Sequence, residues 1–139
     1  MERKILVAVD GSICSYNCLR YLGHLFTDLQ DIYVHLLYVI PVAPLALGME
    51  WISDQDRIMS LSPAERKRYY SAKRFTQEAV LQLGQRGIAA EQVSTQIILS
   101  RSGVAADILF EARNGLYDAL LVGRRGLTKI EEFILGSVS

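Results

Sequence analysis

Short apolar runs alternate with longer amphipathic segments along this chain. Continuous β-prone runs occupy residues 4–9, 32–40 and 118–122, and residues 93–99 alternate between apolar and polar positions. Between these runs, apolar residues recur at helical spacing. Strands that are apolar throughout are typical of a parallel sheet covered by helices on both faces. The pattern therefore predicts the order β-α-β-α-β-α-β.

Start signals place three helices between the strands. The first is predicted over residues 13–30, with Ser12 as its N-cap. The second begins with a capping box at Ser62–Glu65, with proline at the first helical position. The third is predicted to be capped by Ser102. Prolines and a glycine interrupt residues 41–61, which are predicted to form a long loop over the carboxyl edge of the sheet.

This alternation indicates one doubly wound, Rossmann-like α/β domain over residues 1–139. In open sheets of this kind, ligands bind beyond the carboxyl ends of the strands, where the winding direction reverses. A functional site is therefore expected among the loops that follow the four strands.

Composition narrows the possible functions. The chain has 139 residues, half of them apolar, and its 15 basic and 15 acidic side chains give no formal net charge. A neutral chain without a dense basic stripe is a poor candidate for binding nucleic acid. The apolar run near the N-terminus is too short for a signal-peptide core or a membrane span. We therefore expect a cytoplasmic protein that binds neither nucleic acid nor membrane.

The segment after the fourth predicted strand carries the candidate chemistry. Gly123-Arg124-Arg125-Gly126 is followed, after nine intervening residues, by Gly136-Ser137. Glycines let backbone N–H groups approach a ligand, and a concave row of such groups forms a nest for anions. A helix beginning at Ser137 would add the positive end of its dipole. The parts suit a di- or triphosphate, although a single Gly-x-x-Gly step can equally be a turn.

The complete spacing resembles the nucleotide-binding pattern of the universal stress protein family. Val7–Ser12 is similar to the first strand and turn of that family, and Leu37–Ile40 is similar to the end of its second strand. The resemblance covers essentially the whole chain. It implies a nucleotide α-hydrolase-like fold and binding of ATP, AMP or ADP, either with or without Mg²⁺ bound to the phosphates.

The resemblance also implies positions for the parts of the nucleotide. Adenine and ribose would lie at the end of the first strand and near the backbone of Val39, with the Asp10 carboxylate as an acceptor. The phosphates would lie at the three glycines and Ser137, with Val122 and Val138 lining the pocket. Arg124 and Arg125 either pair with phosphate oxygens or are solvated loop charges. The full candidate set is Val9, Asp10, Val39, Val122, Gly123, Arg124, Arg125, Gly126, Gly136, Ser137 and Val138.

Three functions are compatible with these residues: a nucleotide-binding regulatory module, a nucleotide-free dimerising scaffold, and a weak ATP-hydrolysing enzyme. Hydrolysis is disfavoured because no acid–base pair stands out and the Gly-Lys-Ser/Thr phosphate loop is missing. Members of the resembled family usually continue with a helix and a fifth strand that pairs across a dimer. Here both elements are expected to be absent, and an open fourth strand invites assembly into a homodimer or larger oligomer.

A metal site is considered for Cys14, Cys18 and His24. The two cysteines share a helical face, but His24 lies well round the helix from Cys18. Only two well-placed ligands remain, so core packing is the preferred interpretation of the cysteines.

Overall fold

The computed structural model of the chain describes residues 2–26, 31–42 and 51–123, together with the backbone of 131–134. A short 3₁₀ turn, Ala90–Gln92, precedes the third strand. The strands and helices, in chain order, are β1 (Arg3–Val9), α1 (Ile13–Phe26), β2 (Ile32–Ile40), α2 (Asp54–Met59), α3 (Pro63–Gln85), β3 (Val93–Leu99), α4 (Val104–Asn114), β4 (Ala119–Gly123) and β5 (Glu131–Ile134).

The strands form one sheet in the order β3-β2-β1-β4-β5. The first four strands are parallel, which confirms the predicted doubly wound α/β fold. The expectation that β4 has an open edge is wrong, because β5 pairs with β4 in the antiparallel direction. This pairing satisfies backbone groups that β4 would otherwise expose at an open edge. Strand β5 precedes Gly136 and is not the strand expected to be absent, which would follow Ser137, outside the described residues.

Helices cover both faces of the sheet. On one face, α1 and α3 pack over β1 and β2 through residues such as Leu19, Leu22 and Leu83. On the other face, α4 packs through Ile108 and Ala112. Because successive strand residues point to opposite faces, Leu6 and Val7 contribute to different clusters, and both are fully buried. Burial on two faces explains why β1 is apolar from Ile5 to Val9.

The start of α3 confirms the predicted capping box. The Ser62 hydroxyl accepts a hydrogen bond from Glu65 N at 3.3 Å, and the Glu65 carboxylate accepts one from Ser62 N at 3.0 Å. These reciprocal bonds satisfy backbone N–H groups that the first helical turn leaves without partners.

The prediction of Ser102 as the cap of the third long helix is wrong. The N-cap of α4 is Gly103, at φ 106°, a conformation that side chains disfavour. The Asp107 carboxylate reaches back from the first turn and accepts from Arg101 N at 2.9 Å and Ser102 N at 3.2 Å. This carboxylate, rather than the Ser102 hydroxyl, fixes the loop.

Two further boundaries differ from the predictions, and the predicted end of the first helix is not tested. The predicted loop 41–61 contains the helix α2, which begins after an N-cap at Ser53. Helix α1 is described as far as Phe26, and residues 27–30 lie outside the described part of the chain. Strand β4 extends through Gly123, so this glycine is the last residue of a strand and not the first of a loop.

Candidate functional site

The winding direction of the sheet reverses between β1 and β4. The chain proceeds outward from β1 to β2 and β3, and then returns to the other side of β1 with β4. In open α/β sheets the connections diverge at such a point, and the crevice that they leave lies at the carboxyl ends of the strands, here β1 and β4. Val9 and Gly123 are register partners at that edge. This is the place at which the sequence predicts ligand binding.

The turn after β1 is tied to the end of β4 by one buried side chain, Ser15. Its hydroxyl accepts from Asp10 N at 2.8 Å and Gly11 N at 3.2 Å. Its single proton points toward Gly123 O at 2.5 Å or Asp10 Oδ1 at 3.1 Å. Ser15 is fully buried. The bonds therefore hold the two strand ends in one fixed junction, hereafter the Ser15 junction.

Asp10 lies where it was predicted, directly after β1 and half-buried. Its Oδ1 accepts from Ser12 N at 2.9 Å, which is the geometry of an Asx turn. The Tyr38 hydroxyl donates to the Asp10 carbonyl at 2.7 Å. Gly11, at φ 78°, supplies the left-handed conformation that this turn requires. The Asp10 carboxylate is thus held by its own turn, and the Asp10 backbone carbonyl is held by β2.

Gly123 has a packing role that the sequence did not indicate. A Cβ at this position would lie 2.7 Å from Cys18 Cβ, 3.0 Å from Cys14 O and 3.1 Å from Ser15 Cα. The missing side chain therefore lets α1 lie directly against the end of β4. Its predicted role in exposing a backbone amide to phosphate stays a prediction.

Cys18 belongs to the core, as predicted. Its side chain is fully buried, and burial raises the pKa of its thiol to about 12. The thiol is therefore protonated at neutral pH, whereas metal binding requires the thiolate. Among the described residues, no group of three or more His, Cys, Asp and Glu side chains is placed to hold a metal ion.

Ser12 occupies the backbone position of an N-cap, because its carbonyl accepts from Ser15 N and Tyr16 N. Its hydroxyl does not make the predicted capping bond. Ser12 Oγ is the one side-chain polar atom in the described part of the chain that is buried without a hydrogen-bond partner. Leaving such a group unsatisfied costs about 1–3 kcal/mol. An unsatisfied hydroxyl therefore lies in the turn that borders the crevice.

The three predicted valines of the described chain lie on different faces of the sheet. Val9 packs on the α1 and α3 face, whereas Val39 and Val122 belong to the cluster beneath α4. Val9 and Val39 are buried, and Val122 is half-buried. The other predicted site residues lie outside the described residues: Arg124, Arg125, Gly126, Gly136, Ser137 and Val138.

Helix α2 forms a wall at the carboxyl end of β3. Arg57 is buried, and its guanidinium donates to Leu99 O at 3.3 Å and Ser100 O at 2.9 Å. Burial, together with the nearby charge of Arg101, lowers the pKa of Arg57 from its usual value. Arg101 donates to Ile52 O at 3.0 Å and pairs with Asp54 at 2.7 Å. Two arginines therefore attach this segment to the sheet.

The α2 wall stands beside the predicted nucleoside end of the site. Ser100 N donates to Ile40 O at 2.9 Å, so the ends of β2 and β3 are joined directly beneath the segment. Sequence reasoning missed this wall because the 41–61 stretch has no strong helical period. It also missed the Ser15 junction, for which the only signal is a small polar residue among apolar ones in the first helical turn.

Within the described residues, no helix combines the length and apolar character that a bilayer crossing requires.

Comparison with known proteins agrees with the fold. A family model described as the universal stress protein family matches residues 1–139. A universal stress protein family member from Burkholderia pseudomallei is 20% identical, with 86% of this chain and 80% of that chain covered and a TM-score of 0.59. A universal stress protein from Archaeoglobus fulgidus is 17% identical, with 88% and 75% covered and a TM-score of 0.58. Comparison with curated proteins finds no match.

Proposed function

Because the chain belongs to the universal stress protein family, we propose that it is a cytoplasmic regulatory module that binds an adenine nucleotide in the crevice between β1 and β4. The observation that carries this proposal is the Ser15 junction, which holds the Asp10 turn against the end of β4 at the point where the winding direction reverses. Ligand sites of open α/β sheets lie at such points.

The chemistry of the junction suits a nucleotide. The Asp10 carboxylate is an acceptor for an amino group or a ribose hydroxyl. Ile58 of the α2 wall packs against the cluster that contains Ile40, at the end of β2 where the nucleoside is expected. The buried Ser12 hydroxyl is a donor that a ligand oxygen would satisfy. The glycine-rich segment that begins at Gly123 would hold the phosphates, and Mg²⁺ would bind through phosphate oxygens.

Nucleotide binding would act by mass action. A ligand that binds the folded chain alone stabilises it by about 2.7 kcal/mol at a concentration of 100 times Kd. Such stabilisation, or a change in assembly, is the proposed regulatory output. We also propose a homodimer or larger oligomer, to be measured by sedimentation with and without ATP.

Two measurements test nucleotide binding. Mass spectrometry after denaturation of the purified protein should detect bound adenine nucleotide, and calorimetric titration with ATP, ADP and AMP should give a saturable isotherm. Incubation with ATP for hours should yield little ADP or AMP. Saturable binding with rapid turnover would indicate an enzyme, and the absence of binding to all three nucleotides would indicate a nucleotide-free scaffold.

Substitution of Ser12 tests whether the nucleotide binds at this particular site. Ser12→Ala should weaken ATP binding by about three- to tenfold, the usual net contribution of one hydrogen bond. The matched control is Ser71→Ala, on the exposed face of α3, which should leave the affinity unchanged. Equal affinities for ATP in the two variants would remove Ser12 from the site.

A further inference from the structure

A polar cavity lies between α1 and α3, on the sheet face that these helices cover. Its volume is about 580 Å³, and it is lined by Tyr16, Arg20, Gln82, Gln85 and Arg86. None of these residues belongs to the crevice or to the glycine pattern. The cavity is hereafter the interhelix cavity.

The lining follows from helical spacing. Tyr16 and Arg20 are four residues apart on α1, and Glu78, Gln82 and Arg86 are spaced by four along α3 and its C-cap, so each set lies on one side of its helix. The Tyr16 hydroxyl donates to Glu78 Oε2 at 3.4 Å, and Gln82 Nε2 donates to Glu78 Oε1 at 3.3 Å. Both oxygens of the carboxylate are therefore engaged with neutral donors.

A glycine brings the end of α3 onto the surface of α1. A Cβ at the buried Gly23 would lie 2.5 Å from Arg86 Cδ and 2.9 Å from Arg86 Cβ. The aliphatic stem of Arg86 therefore lies directly on α1, at a position three residues beyond Arg20. This contact fixes the base of the Arg86 side chain at the edge of the interhelix cavity.

The two cations share the cavity without an anionic partner in the described part of the chain. Neither guanidinium has an acceptor or a carboxylate within bonding distance there. The end of α3 favours Arg86 through the helix dipole, but Arg20 lies in the middle of α1, where the dipole gives no such reason. Both side chains are exposed to solvent at the rim of the cavity, where an anion between them would be attracted by both charges.

We propose that the interhelix cavity binds a small dianionic oxyanion of the phosphate or phosphate-monoester class. The planar guanidinium forks of Arg20 and Arg86 match the oxygens of such a group. The side-chain amides of Gln82 and Gln85 supply neutral donors beside them. The site is separate from the crevice and does not depend on nucleotide binding there.

The test is a ¹H–¹⁵N NMR titration of the full chain with inorganic phosphate and, in parallel, with glycerol 3-phosphate. Chloride is used to hold the ionic strength constant. Saturable shifts are expected at the backbone amides of residues 82–86 and at the arginine Nε–H groups. Tighter binding of the ester would identify a phosphorylated metabolite as the ligand, and tighter binding of phosphate would identify the free ion.

Variants decide whether the two arginines form the site. Arg20→Gln with Arg86→Gln should weaken binding of both probes by at least about tenfold. The control Arg113→Gln removes an exposed cation from α4, on the opposite face of the sheet, and should leave the affinity unchanged. Replacement of both arginines by lysine should give an intermediate affinity, because lysine keeps the charge but loses the fork. Shifts that grow linearly without saturation, or equal affinities in the double glutamine variant and the control, would overturn the proposal.

Discussion

Two serines three residues apart should differ in how alanine substitution changes the free energy of unfolding. Ser15→Ala removes the acceptor of Asp10 N and Gly11 N and the donor to Gly123 O. Each lost bond contributes about 1 kcal/mol net, so the free energy of unfolding should fall by about 2–3 kcal/mol. The total free energy of unfolding of a typical domain is about 5–15 kcal/mol, so a loss of this size is readily measured.

Ser12→Ala removes a hydroxyl that has no partner in the described structure. Its removal leaves no bond unmade, so the free energy of unfolding should stay within about 0.5 kcal/mol of the wild type or rise. Urea unfolding followed by circular dichroism, with m-values compared, measures both variants. The reasoning is refuted if Ser15→Ala unfolds at the wild-type urea midpoint, or if Ser12→Ala loses as much stability as Ser15→Ala.

Three further substitutions or conditions test other parts of the account. Gly123→Ala should lower the free energy of unfolding by about 1–3 kcal/mol, because the added Cβ overpacks against α1. Gly84 has open space around it, so the control Gly84→Ala should be neutral or stabilising. Equal effects of the two substitutions in urea unfolding would contradict this reasoning. Arg57→Met should speed amide exchange in residues 54–59 by at least about tenfold, because it removes the bonds to Leu99 O and Ser100 O at the end of β3. Unchanged exchange would show that other contacts hold α2 in place. Because burial raises the pKa of Cys18 from 9.0 to about 12, stability should be nearly constant below about pH 8 and fall by about 1.4 kcal/mol by pH 10. Cys18→Ala should not show this Cys18-dependent loss.

Local signals in the sequence were sufficient to predict the four parallel strands and the start of one helix, α3. The apolar runs of β1 and β2 have few alternatives, since an amphipathic helix would interrupt them with polar residues. The capping box at Ser62 and Glu65 involves two residues three positions apart, so spacing alone determines it. Doubly wound topology then follows from alternation, and with it the edge where the crevice lies.

Contacts between distant parts of the chain were not predictable in this way. Ser15 bonds to Gly123, which is 108 residues away, and Arg57 bonds to Leu99 and Ser100 across more than 40 residues. No periodicity records such pairs. The same limit applies to β5, whose pairing with β4 depends on an unpaired strand edge rather than on a local pattern.

The roles of single residues were least predictable where one position serves two purposes. Gly123 was predicted from its place in a glycine pattern, but its neighbours in the structure are Cys14, Ser15 and Cys18 of α1. Gly103, rather than Ser102, begins α4 because the Asp107 carboxylate already binds the preceding amides. At both positions, contacts with residues that are not adjacent in sequence determine which side chain the position can hold.

The central claim is that an adenine nucleotide binds at the junction of β1 and β4. The most direct measurement is an ATP titration of the ¹⁵N-labelled chain, with the backbone amides of Gly11, Ser12 and Gly123 as reporters. The account predicts saturable shifts at these amides with a single dissociation constant. Shifts confined to the interhelix cavity at Arg20 and Arg86, or no saturable shifts at the three reporters, would contradict it.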